Sequence, residues 1–195
     1  MPKRRTLTTE PEYLGHPINT GANNDLPCVT RILDTNMRVL DHFTENHHAT
    51  LMSRIDFRYP QGFKPTGNED MKKILAQGVK SLQREYGTKL GYVMVLEESE
   101  DGGVHFNGFT LQDMSVLKSP LPVVQTLERI ADRITGIAGQ NGTDNQGLVQ
   151  LCQNGVVIHR GNQEEYDEAF YRVSYLAKLK DKTESGREIF CSKTR

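Results

Sequence analysis

"GYVMVLEESEDGGVHFNGFTLQD" spans residues 91–113, and its reading decides the fold. Residues 92–96 (Tyr, Val, Met, Val, Leu) favour an extended strand, because β-branched and aromatic side chains pack well on a pleated surface. "SEDGG" supplies a tight turn, with Asp101-Gly102 its strongest local signal. "VHFNGFTL" then returns as the partner strand. Residues two apart on a strand share a face, so His105 and Asn107 are neighbours on one side. Turn closure brings the end of the first strand against the start of the second. Glu97, or Glu98 beside it, therefore lies next to that pair.

Working outward, helices flank this hairpin. Upstream, Val29, Ile32, Leu33, Met37, Leu40 and Phe43 recur at helical spacing. Residues 51–59 suit a strand stopped by Pro60. "QGFKPTGNED" is a loop with Asn68 as a candidate N-cap. A helix over 69–86 follows, with Met71, Ile74, Leu75, Val79 and Leu82 on one face and Gly87 as its stop. Downstream, "SPLPVVQTLERIADRITG" carries Val124, Leu127, Ile130, Ala131 and Ile134 as a third helix. "GIAGQNGTDNQG" is a glycine-rich loop and "VVIHR" a short strand. "NQEEYDEAFYRVSYLAKLKDK" is a fourth helix, and the tail "ESGREIFCSKTR" offers one edge strand. Long helices alternating with hairpin strands predict an α+β fold, with helices packed on an antiparallel sheet. Residues 1–27, rich in Pro, Gly, Thr and Asn without periodicity, read as a flexible arm. Residues 28–195 then form one domain.

Composition narrows the functional classes. The 195 residues are 36% hydrophobic and 25% charged, as in a soluble globular protein. No window is apolar enough for a transmembrane helix, and the basic start has no apolar segment behind it, so a cytoplasmic protein is expected. Three separated cysteines (Cys28, Cys152, Cys191) suit reduced thiols better than a disulfide framework or a zinc motif. The formal net charge of −1 gives no support for general nucleic-acid coating, so any such binding must rest on local patches. The glycine-rich loop lacks the Lys-Ser or Lys-Thr of a phosphate-binding loop, so no nucleotide cofactor is expected. His47-His48 and His159 read as surface histidines.

Two groups of residues carry chemistry. Glu97, His105 and Asn107 offer a carboxylate, an imidazole and a carboxamide oxygen on one face, a set that suits Mg²⁺ or Mn²⁺. Spacing alone favours an ordinary polar strand end, because three polar residues near a hairpin are common. On the fourth helix, Tyr171, Tyr175 and Lys178 fall at i, i+4 and i+7 and share a stripe, while Phe170, Val173 and Ala177 form a stripe for the core. Tyrosine is a covalent nucleophile once its target is polarised, and a lysine one turn away can stabilise the charge.

Together these residues resemble the HUH endonuclease superfamily of rolling-circle replication initiators. That superfamily has a strand motif H-hydrophobic-H, or H-x-Q in some viral branches, and a helix motif Y-x-x-K. "VHFNGF" stands where the first is expected, and "YLAK" (Tyr175 to Lys178) reads as the second. "RIDFRYP", "GYVMVLEESEDGGVHFNGF", "AFYRVSYLAKLKDK" and "REIFCSKTR" look most like the inovirus-type replication protein family, also called the YagK/YfjJ C-terminal domain. The resemblance runs from about Val29 to Arg195.

It implies an HUH/Rep fold with an RRM-like palm and a replication-initiator nickase for a phage or mobile element in a bacterial host cell. Tyr175 would be the nucleophile, Tyr171 a second or alternative tyrosine, and Lys178 the charge-steadying residue. Glu97, His105 and Asn107 would hold the Mg²⁺ or Mn²⁺. Arg54 and Arg58 of "RIDFRYP" would contact phosphate, with Asp56 positioning the site. Local basic residues, read from the sequence and not from the resemblance, collect near the proposed site: Lys180 and Lys182, then Arg187, Lys193, Arg195 and the arm's Lys3, Arg4 and Arg5 are either DNA-backbone contacts or an ordinary solvated face. Single-stranded or hairpin origin DNA would be the substrate, and a host helicase and polymerase the partners. The chain departs from the family where Asn107 replaces its usual second histidine. The alternative is a protein of this fold that binds origin DNA as a regulator without cutting it.

Overall fold

Apolar side chains on both faces of the central strands require cover on both sides, and the helices divide accordingly. The computed structural model describes residues 5–59, 68–98, 104–137, 148–152, 155–180, 182 and 189–194. Among these residues four α-helices form: α1 (Thr30–Asn46), α2 (Glu69–Tyr86), α3 (Leu121–Thr135) and α4 (Gln163–Ser174). The short pairs β1 (Leu7–Thr8), β2 (Glu12–Tyr13), β3 (His16–Pro17) and β4 (Cys28–Val29) precede α1. The main strands are β5 (Ala49–Arg58), β6 (Gly91–Glu98), β7 (Val104–Asp113), β8 (Val149–Leu151), β9 (Val156–His159) and β10 (Ile189–Cys191). They form a six-stranded antiparallel sheet in the order β10-β6-β7-β5, with β8 and β9 both paired to the outer edge of β5.

Strand parity sets the two cores. Met52, Val93, Val95, Phe109, Leu111, Val156 and Ile158 point to one face and pack with α1 and α4. Ile55, Phe57, Met94, Leu96, Phe106 and Val149 point to the other and pack with α2 and α3. Each helix shows the matching apolar stripe, with Ile32, Leu33 and Leu40 buried in α1 and Ile74, Leu75 and Leu82 in α2. Glu69 and Asp70 open α2 and Arg84 lies in its last turn, in accord with the helix dipole. Gly87 ends that helix at φ 70°, its N–H donating to the Gln83 carbonyl, a left-handed cap that glycine adopts without steric cost. At Gly108 a Cβ would lie 2.3 Å from both the Met94 sulfur and the Val93 carbonyl oxygen, so the β6–β7 contact depends on its bare backbone.

The α+β sequence expectation agrees with this architecture. Two expectations require correction. Residues 5–27 are not a loose arm. β1 pairs with β4, the Tyr13 hydroxyl donates to Asp34 at 2.7 Å, His16 pairs with Asp167 at 2.7 Å, and Ile18 is buried in the core. The expected fourth helix stops at Ser174. Tyr175–Ala177 form a 3₁₀ turn, and Lys178 is extended at ψ 134°. The strands β1 to β4 and β8 had no sequence signal, because two or three residues carry no period. The "SEDGG" turn, the loop from Pro60, the glycine-rich loop beyond Ile137, and Lys3, Arg4, Arg187 and Arg195 lie outside the described residues. Among the described residues, no helix is long and apolar enough to cross a membrane.

Candidate active site

The face under α1 and α4 changes character along its length. Cross-strand registry aligns Met52 with Leu111, then Arg54 with Phe109 and Val93, then Asp56 with Asn107 and Val95, and last Arg58 with His105 and Glu97. The first row is apolar. By the last row, nearest the β6–β7 connection, all three side chains are polar. Gln150 on β8 extends the polar area beside Asp56. The sequence-predicted trio is thus brought together: Glu97 and His105 are direct cross-strand partners, and Asn107 is one pleat further along β7.

Glu97 is the hub. Its Oε2 lies 3.2 Å from His105 Nε2 and accepts a hydrogen bond from the Asn107 amide. Its Oε1 accepts from the Lys182 ammonium. Glu97 and Asn107 are each only 7% exposed. Burial alone would raise the Glu97 pKa. The hydrogen bond from His105 and the charge and hydrogen bond of Lys182 more than offset this and hold it below the usual glutamate range. Asp56, also buried, has one oxygen 3.2 Å from the Arg58 guanidinium, while its Oδ1 has no hydrogen bond of normal geometry.

Tyr175 overlooks the same face. The Arg54 guanidinium stacks on its ring at 5.0 Å from the centroid, and the Lys178 ammonium at 4.2 Å. Tyr175 is 40% exposed, so it does not point into the core. The 3₁₀ turn explains the Lys178 contact, since residues i and i+3 eclipse in that geometry. The docked N-terminal segment fixes the turn. Asn19 N–H donates to Ser174 Oγ, Leu179 N–H donates to the Pro27 carbonyl, and Cys28 bridges Lys178. Partial burial pulls the Lys178 pKa below the usual lysine range, and the Arg54 charge acts in the same direction.

The other sequence candidates divide. Arg54 stacks on Tyr175, Arg58 lies across from His105, and the Arg58 side chain is exposed. Lys180 and Lys193 are exposed. Tyr171 is exposed on α4, but the break after Ser174 removes the continuous stripe that would carry it to Tyr175 and Lys178. Lys182 is the clearest departure. Its side chain is 1% exposed and paired to Glu97, so it is not a surface contact for DNA. A lysine at a helix end reads as solvated, and only the fold supplies its carboxylate.

The donor set is of a kind that suits a hard divalent cation: a carboxylate, an imidazole and, with the amide turned over, the Asn107 carboxamide oxygen, with His105 and Asn107 both meeting Glu97 Oε2. Among the described residues no group of three His, Cys, Asp or Glu side chains is placed to hold a metal ion. No protein-family model, no curated protein and no solved structure matches the chain.

Proposed function

We propose that the chain is a single-strand DNA nickase of the rolling-circle initiator type, with Tyr175 as its nucleophile. The observation that carries this reading is the placement of an exposed tyrosine, flanked by two cations, on the sheet face that holds Glu97, His105 and Asn107. In the reaction the Tyr175 hydroxyl oxygen attacks a backbone phosphorus as its proton is lost. The P–O3′ bond breaks, the 3′ oxygen takes up a proton, and the 5′ phosphate remains on the tyrosine. Arg54 and Lys178 lie where they can neutralise the phosphate and lower the cost of the phenolate. Arg58 extends that positive edge toward the adjoining backbone. A Mg²⁺ or Mn²⁺ held by Glu97, His105 and Asn107 would polarise the scissile phosphate. The HUH/Rep fold, an origin as substrate and a host helicase and polymerase as partners belong to the same proposal.

A second reading, DNA binding without cutting, is favoured by the Lys182 ammonium on Glu97 and by Asn107 in place of a second histidine. One experiment separates them. The chain is incubated with Mn²⁺ and a randomised single-stranded DNA pool carrying a 3′ dye, then denatured. A dye-labelled covalent adduct that is lost in Tyr175→Phe supports nicking. Retention of DNA under native conditions with no adduct supports the regulator.

A further inference from the structure

The cation that Glu97 holds in this structure belongs to the chain itself. Lys182 bridges the Glu97 backbone and places its ammonium on Oε1, while His105 and Asn107 occupy Oε2. Both carboxylate oxygens are therefore engaged within a pocket that leaves the Lys182 side chain 1% exposed. An ammonium and a divalent ion sharing one buried carboxylate would be like charges about 4 Å apart with little screening, a strongly unfavourable pairing. Lysine's compact, point-like charge on a long stem allows it to occupy a metal's place without further ligands.

We propose that Lys182 is the resident cation of this site, a built-in competitor that sets how tightly Glu97, His105 and Asn107 hold a divalent ion. The proposal rests on the metal part of the reading above. Divalent ion binds only as Lys182 leaves Glu97, so the intact chain has a weaker site than its donor set would give alone.

The test uses Mn²⁺ alone, with free Mn²⁺ measured by electron paramagnetic resonance on the full chain. Lys182→Met should bind at least about tenfold more tightly than wild type, since removal of a neighbouring like charge is worth that much or more. Lys182→Arg, which keeps the charge, should stay at the wild-type affinity. The double variant Glu97→Gln/Lys182→Met should lose the gain. Circular dichroism checks that each variant folds. Should Lys182→Met not fold, wild type is treated with acetic anhydride and mapped by mass spectrometry. Lys182 should be protected without metal and acetylated several-fold faster at saturating Mg²⁺, whereas unchanged labelling overturns the proposal. Equal Mn²⁺ affinity in wild type and Lys182→Met, lost in both on Glu97→Gln, overturns the competitor and leaves the metal site standing. No Mn²⁺ binding in any variant overturns both. Tyr175 chemistry is judged separately by the covalent adduct.

Discussion

The two halves of the sheet face under α1 and α4 use the same three strands for opposite purposes. In one half Met52, Val93, Phe109 and Leu111 are buried against helix side chains and hold the domain together. In the other, further along the same strands, Arg54, Asp56, Arg58, His105, Asn107 and Glu97 point the same way, with Arg54 under the Tyr175 ring and Glu97 paired to Lys182. The pleat alone would let apolar residues continue, as they do on the opposite face, where Phe57, Leu96 and Phe106 remain buried at this end. The polar half is thus the candidate site on an apolar scaffold, and the two halves should respond differently to substitution.

The largest stability effect is expected in the apolar half. Phe109→Ala should cost about 3–5 kcal/mol in chemical denaturation, the range for truncating a fully buried phenylalanine. Glu97→Gln comes next. It leaves the buried Lys182 ammonium without its counter-charge and should cost about 3 kcal/mol. Part of that loss should return in Glu97→Gln/Lys182→Met, because removing both charges removes the unpaired one. Additive losses would mean that the two side chains do not form a pair. His105→Ala should cost only about 1 kcal/mol, since the ring is half-buried and gives up one hydrogen bond. A loss as large as that of Phe109→Ala would erase the distinction between the halves.

The smallest effect is at the far end of β7. Burial alone would raise the Asp113 pKa, but hydrogen bonds from Ser115 and the neighbouring His47 hold it below the usual aspartate range. A lowered carboxylate pKa gives stability that is present above the ordinary aspartate value and fades as pH falls through the lowered one. Asp113→Asn should therefore cost a few tenths of a kcal/mol at pH 7 and nothing near pH 2. An equal cost at both pH values would show that the charge plays no part.

The hairpin and α2 were legible because their signals are local: the continuous apolar, β-favouring run at residues 92–96, helical spacing from Met71 to Leu82, and glycine at 87. The trio Glu97, His105 and Asn107 was legible for the same reason, since closing a hairpin fixes which residues face each other. The break after Ser174 was not. "SYLAK" has good helix formers, and it leaves the helix where the N-terminal segment pairs with Cys28–Lys178 and Pro27–Leu179, contacts made across some 150 residues of chain. The burial of Lys182 was hidden likewise, because a lysine's environment depends on the carboxylate that folding brings to it. The docking of residues 5–27 depends on contacts with α1 and α4 that no period within the segment announces.

The most direct test of Tyr175 as nucleophile is peptide mapping of the covalent product. After reaction with the 3′-labelled single-stranded DNA pool and Mn²⁺, nuclease and protease digestion should leave a nucleotide mass on the peptide containing Tyr175. Tyr175→Phe should reduce the adduct at least about a thousandfold, as expected for removing a nucleophile, while its melting temperature stays close to wild type. An adduct that persists in Tyr175→Phe, or one that maps to Tyr171, would contradict the account.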